Sequence, residues 1–195
     1  MNQIELNKIK QKALKDHIPI IMDDALEYIE QLILKTKPKR ILEIGTAVGY
    51  SAICFAKIAG ENTRIDTIEI DEKRAEEAKQ NIQKVELKNK IQIYCVDAVE
   101  ILPTMKESYD MIFIDASKGK YPFFLEESIR LAHKDTLIIA DNILYKGYVM
   151  SDYNKHKQRT AVRNLREYIK QATENPDLKT QILEIGDGIA ISKKK

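Results

Sequence analysis

"ILEIGTAVGYSA", residues 41–52, joins a β-branched apolar run to a glutamate and two glycines. The run 40–44 reads as a buried strand and 50–57 as a helix, so the stretch from Gly45 to Gly49 is a strand-to-helix turn. A turn of this kind points the first backbone N–H groups of a helix at a ligand, and the usual occupant is nucleotide-like.

Outward from that turn the pattern repeats. Met22, Ala25, Leu26, Ile29, Leu32 and Ile33 recur at helical spacing, and Pro38 closes that helix before the first strand. Strand-like runs follow at 64–70, 90–95, 109–114 and 135–140, with helical patterns near 71–86, 98–105 and 121–132 between them. A last helix, near 155–174, leads to two strands, 179–185 and 189–193, joined by Gly186-Asp187-Gly188. So short a turn makes a hairpin, which sets one strand antiparallel to its neighbour. The expected fold is therefore α/β: a Rossmann-like, doubly wound, mostly parallel seven-stranded sheet with an antiparallel C-terminal hairpin strand.

With 195 residues and 44% hydrophobic content, one domain over 1–195 is expected. No apolar run approaches the ~20 residues that span a bilayer, and MNQIELNKIKQK lacks a signal-peptide core, which points to a cytoplasmic protein with no membrane partner. Cys54 and Cys95 have neither CxxC spacing nor a neighbouring His and read as reduced core residues. Net charge is +2, yet from Ile143 onward eleven Lys or Arg stand against six Asp or Glu. Such a basic tail is either a polyanion-binding face or a solvated surface.

In an open parallel sheet, ligands bind outside the carboxyl ends of the strands. Glu43, Glu69, Asp97, Asp115 and Asp141 all fall there, five acids on five successive strands. A lone acid in such a place is often a turn former or helix cap; five at one register point to a site. The turn lacks the lysine of a phosphate-binding GxxxxGK[ST] loop, because Tyr50 follows Gly49, and its ExGxxxG spacing is not the GxGxxG of a dinucleotide site. It suits instead a cofactor without phosphate, an amino acid joined to a nucleoside through sulfur, with Glu69 accepting from ribose hydroxyls.

ExGxxxG, Glu69 and Val96-Asp97-Ala98 together resemble the class I S-adenosylmethionine-dependent methyltransferases. A second constellation follows: "FIDASKGKY" puts Asp115 and Lys118 at the end of the fourth strand, and "IIADNIL" puts Asp141 and Asn142 at the end of the fifth. Two carboxylates and an amide oxygen form a hard, all-oxygen set that suits Mg²⁺. A cation there lowers the pKa of an acceptor hydroxyl and aims it, while Lys118 takes the proton or balances the oxyanion. The bland reading makes Asp141-Asn142 a turn and Lys118 a surface lysine.

The two constellations resemble the metal-dependent O-methyltransferases of the catechol and caffeoyl-CoA type. The resemblance implies that Asp115, Asp141 and Asn142 hold the metal and that Lys118 and Asp115 are catalytic. It also implies that S-adenosylmethionine meets Met22, Glu43, Gly45, Gly49, Ser51, Glu69, Asp97, Ala98 and Asp115, and that the enzyme is a homodimer. It departs at one point: a catechol enzyme carries a tryptophan beside the lysine of DxxK, and this chain has none, which argues against catechol itself.

"HIPIIMD", "FIDASKGKYPFF", "DNILYKGYV" and "GDGIAISKKK" resemble a narrower group, the bacterial tRNA methyltransferases that convert wobble 5-hydroxyuridine to 5-methoxyuridine. That resemblance implies the tRNA anticodon arm as partner. Arg159, Arg163, Arg166 and Lys170 form one stripe on the last helix, apart from the apolar Val162, Leu165 and Ile169. Such a ridge can follow a phosphate backbone, enlarged by Lys146, Lys155, His156 and Lys157, or be an ordinary solvated face. Tyr121, Phe123 and Tyr145 are candidates to stack a splayed base, the first two equally candidates for the core. The alternatives are an O-methyltransferase acting on catechol-like or caffeoyl-CoA-like phenols, and a non-catalytic nucleotide-binding module in which the metal set stands idle.

Overall fold

The computed structural model describes residues 3–152 and 158–195. Two compact units divide the chain, Met1–Ile101 and Leu102–Lys195.

In the first unit, α1 (Gln3–Lys15) turns Leu6, Ile9 and Ala13 inward and packs on α3 (Tyr50–Ile58). Its i, i+3, i+7 spacing is the helical signal for this element, set in a polar background. α2 (Asp23–Thr36) buries Ala25, Leu26, Ile29 and Ile33 and stops at Lys37, whose left-handed φ of 50° precedes Pro38. β1 (Arg40–Ile44), β2 (Arg64–Glu69) and β3 (Ile91–Cys95) run parallel in the order β3-β2-β1. α4 (Glu72–Lys84) follows β2, its N-terminus capped by Asp71, and the single turn α5 (Ala98–Ile101) follows β3. Cys54 is buried, as expected, but Cys95 is exposed rather than in the core. It ends β3, which among the described residues of this unit pairs on one side only, with β2.

The helix expected over 98–105 breaks: α5 ends at Ile101, and Leu102–Thr104 form a 3₁₀ turn around Pro103, which has no N–H to give to a longer helix. In the second unit, β4 (Tyr109–Ile114) leads through the 3₁₀ turn Lys118–Lys120 into α6 (Tyr121–Leu131). β5 (Ala132–Ala140) begins three residues early, where the Thr136 hydroxyl accepts from His133 N–H and donates to the Tyr109 carbonyl. α7 (Arg159–Glu174), β6 (Leu178–Leu183) and β7 (Ile189–Lys194) complete it. The first residues expected in that helix, Lys155, His156 and Lys157, lie outside the described residues. β4 and β5 are parallel, and β7 lies between β5 and β6, antiparallel to both. The fold is thus the Rossmann-like, mostly parallel α/β arrangement with antiparallel C-terminal strands. Seven strands form among the described residues, and no described helix is long and apolar enough to cross a membrane.

The turn between β6 and β7 is locked to the segment after β5. Ile143 N–H donates to the Gly188 carbonyl at 2.9 Å and Leu144 N–H to the Asp187 carbonyl at 3.0 Å, while Lys146 N–H donates to the Asp187 carboxylate. Gly188 has φ +87°, and a Cβ there would lie 2.3 Å from Leu144 Cγ. Gly188→Ala is therefore expected to lower stability by ~2–4 kcal/mol through overpacking and left-handed strain, read from urea unfolding. A loss under ~0.5 kcal/mol would mean that the Leu144 segment moves aside freely.

Candidate active site

The first set of residues surrounds the turn after β1. Gly45 and Thr46 both donate N–H to the Ile68 carbonyl, at 3.0 and 3.1 Å, which folds the turn over the end of β2. Ala47 takes a left-handed φ of 46° and gives its N–H to Glu69 Oε2 at 2.7 Å. Glu69 Oε1 accepts Asp71 N–H at 2.9 Å, so each oxygen of this buried carboxylate holds one backbone donor and keeps acceptor capacity. Gly49, at φ +80°, opens α3 with no side-chain cap, and a Cβ on it would come 3.3 Å from Ala78 Cβ. Asn81 holds the outer side of the turn by donating to the Val48 carbonyl at 3.0 Å.

Glu43 is wholly buried and accepts the hydroxyls of Ser51 and Thr67, so it ties α3 and β2 together beneath the turn. Asp97 Oδ1 accepts Val99 N–H at 2.8 Å as the cap of α5, with Ala98 buried behind it. Met22 stands at the N-cap of α2, half exposed. Thr46, Thr67 and Asn81 were not singled out in the sequence. Thr67 stands opposite Glu43 in the β1–β2 register, a pairing that neither segment signals alone.

The second set gathers at the ends of β4 and β5. Lys118 Nζ donates to Asp115 Oδ1 at 2.9 Å, to Asn142 Oδ1 at 3.0 Å and to Tyr121 Oη at 2.9 Å, matching all three donors of an ammonium. Tyr121 is fully buried and donates its own proton to the Asp141 carbonyl at 2.8 Å. It is a core residue that braces the lysine, and its ring has no free face for a base; Phe123 is half-buried beside Phe124. Burial in this place raises the Tyr121 hydroxyl pKa well above its ordinary value, with the Asp115 and Asp141 charges adding to the effect.

Asp141 is 1% exposed. Its Oδ1 accepts the N–H of Asn142 at 2.7 Å, and its buried Oδ2 has no partner among the described residues. Burial, then the negative charge of Asp115, pushes the Asp141 pKa up to about 7, against the pull of the Asn142 N–H and Lys118. An orphaned carboxylate oxygen beside a second carboxylate and an amide oxygen fits a hard divalent cation. The described residues hold no cluster of three or more His, Cys, Asp or Glu, so any metal here must use the Asn142 amide or other oxygens besides the two carboxylates.

On α7, Val162, Leu165, Tyr168 and Ala172 face inward, Ile169 is half-buried, and Arg159, Arg163, Arg166 and Lys170 are exposed. These four cations line one groove with Asp152 and Glu167. The arginines differ in what they touch. Arg166 donates to the carbonyls of Val149 at 3.0 Å and Tyr148 at 3.2 Å and also to Ser151, which makes it a strut for the loop after β5. Lys146 is exposed on that loop, and Tyr145 packs edge-on against Tyr148.

A family model described as O-methyltransferase matches residues 1–195, and the chain belongs to that family. It is an S-adenosylmethionine-dependent methyltransferase of the class expected from the sequence. A catechol O-methyltransferase from Niastella koreensis is 34% identical over 175 residues, 85% of this chain and 78% of that protein. One from Mycobacterium tuberculosis is 32% identical over 160 residues, 79% of this chain and 71% of that protein. A Staphylococcus aureus structure described as a candidate caffeoyl-CoA O-methyltransferase superimposes with a TM-score of 0.91 at 35% identity, covering 97% of this chain and 92% of that one. A Bacillus cereus O-methyltransferase in complex with SAH gives a TM-score of 0.89 at 26% identity, over 100% of this chain and 92% of that one.

The raised pKa of Asp141 has a thermodynamic sign. Native protein retains a proton that the unfolded chain has lost, so this group's contribution to stability falls as pH rises from about 4 to about 7. In chelator, Asp141→Asn should therefore stabilise the protein more at pH 8 than at pH 5, by over ~1 kcal/mol in urea unfolding. An equal effect at both pH values would mean that Asp141 ionises normally.

Proposed function

We propose that the protein transfers a methyl group from S-adenosylmethionine to the 5-hydroxyl of wobble 5-hydroxyuridine in tRNA, giving 5-methoxyuridine, with Mg²⁺ at Asp115, Asp141 and Asn142. The observation that carries the reading is the buried Asp141 oxygen, without a partner among the described residues, beside Asp115 and Asn142. It supports an acceptor that presents two adjacent oxygens to a cation, as the 5-hydroxyl and neighbouring carbonyl of this base do. S-adenosylmethionine supplies an electrophilic methyl, and a bound Mg²⁺ polarises the acceptor hydroxyl toward its anion.

The chain's own residues do the rest. Glu69 has acceptor capacity left for ribose hydroxyls, and the Gly45–Gly49 turn admits close backbone approach. Asp97 and Ala98 bound the adenine end, while Met22 and Ser51 complete the donor side, with Glu43 holding the Ser51 hydroxyl from beneath the turn. Lys118, its ammonium fixed by three acceptors, balances charge that develops on the acceptor oxygen. The SAH in the Bacillus cereus relative supports the donor.

For tRNA the support is the exposed cationic face of Arg159, Arg163 and Lys170 on α7. Exposed Ser117 beside Lys118 supports it too, because a tryptophan wall for a free phenol is missing there. A cytoplasmic location goes with that substrate. The second reading, a phenol with adjacent oxygens, is favoured by the two relatives named catechol O-methyltransferase.

Incubation with labelled S-adenosylmethionine and Mg²⁺ separates the readings when tRNA carrying 5-hydroxyuridine is run beside a panel of phenols. Label is expected in tRNA, lost in EDTA, and falling steeply with salt as counterions are released. Arg159→Glu with Arg163→Glu should raise KM for tRNA and leave calorimetric donor affinity unchanged, whereas Glu69→Ala should weaken the donor by roughly 10- to 100-fold. Label entering phenols and never tRNA overturns the tRNA reading. The same reading expects a homodimer of 22.5 kDa chains by light scattering, and a monomer at working concentration removes that part.

A further inference from the structure

We propose that the Lys118 ammonium is the built-in counter-cation of the Asp115, Asp141 and Asn142 oxygens and that it limits how tightly a divalent metal binds them. The inference rests on the reading of these oxygens as a metal site. Two of the three proposed donors, Asp115 Oδ1 and Asn142 Oδ1, are engaged by Lys118 Nζ at 2.9 and 3.0 Å. The third residue keeps a buried oxygen, Asp141 Oδ2, that has no partner among the described residues. The lysine is therefore a monovalent cation seated on part of a divalent site.

Lys118 is not a surface side chain that drifts into place. Its side chain is 16% exposed, its ammonium lies 5.0 Å from the centre of the Tyr121 ring, and its third donor goes to the Tyr121 hydroxyl. That hydroxyl presents a lone pair to the lysine because its own proton is committed to the Asp141 carbonyl. Asn164 holds the Lys118–Lys120 turn from outside by donating to the Gly119 carbonyl at 2.7 Å. The ammonium is thus fixed in a weakly screened place, where a second cation sharing its oxygens meets like-charge repulsion. Metal loading must stretch or break the contacts to Asp115 and Asn142, and this lowers the affinity. In return the metal-free site is held together, because Lys118 stands between acidic groups that otherwise repel one another.

The test uses the full chain and Mn²⁺ as probe, with affinity read by isothermal titration calorimetry and stability by thermal melts. Wild-type protein should bind Mn²⁺, and Asp141→Ala should lose that binding. Lys118→Met should bind Mn²⁺ at least ~10-fold more tightly than wild type. In EDTA it should melt at a lower temperature, with the gap closing as Mn²⁺ saturates the site. Should the methionine variant not fold, Lys118→Gln makes the same charge change with a side chain that can still donate to Asp115. A folded variant of either kind that binds Mn²⁺ no more tightly than wild type overturns the proposal. Wild-type protein that binds no Mn²⁺ overturns the metal reading beneath it.

Discussion

A carboxylate buried at the end of β5 sets the terms for everything around it. Removing such a group from water costs several kcal/mol unless donors or cations compensate. One donor comes from the next peptide: Asn142 adopts a left-handed φ of 54°, which an asparagine tolerates better than most residues, and its N–H reaches Asp141 Oδ1. The order Asp-Asn is thus partly a backbone requirement. Tyr121 donates to the Asp141 carbonyl, and Lys118 brings positive charge near. Oδ2 still lacks a partner among the described residues. Local stability has been given up in one spot, and such violations mark functional sites more often than accidents of packing.

The loop that follows inherits this strain. Tyr145, Lys146 and Gly147 all have positive φ, an arrangement that two non-glycine residues adopt only under outside support. The support is the C-terminal hairpin. β7 pairs with β5 as far as Ala140↔Ala190, so its turn arrives beside residues 143–146, where Asp187 and Gly188 take up three backbone donors. A hairpin at the far end of the chain therefore fixes the loop that carries Tyr145 and Lys146. Its Gly-Asp-Gly sequence serves the turn and that docking together.

The strand runs, the C-terminal hairpin and every acid at a strand end were legible because period-two runs and turn residues report local backbone preference directly. The separation of roles among those acids was not. Glu43 and Glu69 look alike in sequence, yet one is consumed by the Ser51 and Thr67 hydroxyls and the other holds two backbone donors with capacity to spare. That difference depends on which side chains stand opposite across a strand pair, which no single segment encodes. Cys95 was misread for a related reason, since an apolar run does not say whether its strand is paired on one side or two. α1 was legible and passed over, as its few apolar residues sit in a polar background.

The stripe on α7 shows the same limit at the surface. Arg159, Arg163 and Arg166 share a helix face and line one groove, but Arg166 spends its donors on loop carbonyls while the other two are exposed. A helix face read as one binding ridge is thus part strut and part open cation. Contacts from such cations to a phosphate backbone position a nucleic acid and carry no information about the base. Under the proposed reading, a cation held by Asp115, Asp141 and Asn142 would require two adjacent oxygens of the acceptor and nothing more. The same chemistry suits a modified uridine and a catechol, so the substrates of enzymes built on this site are separated by the surfaces that deliver them.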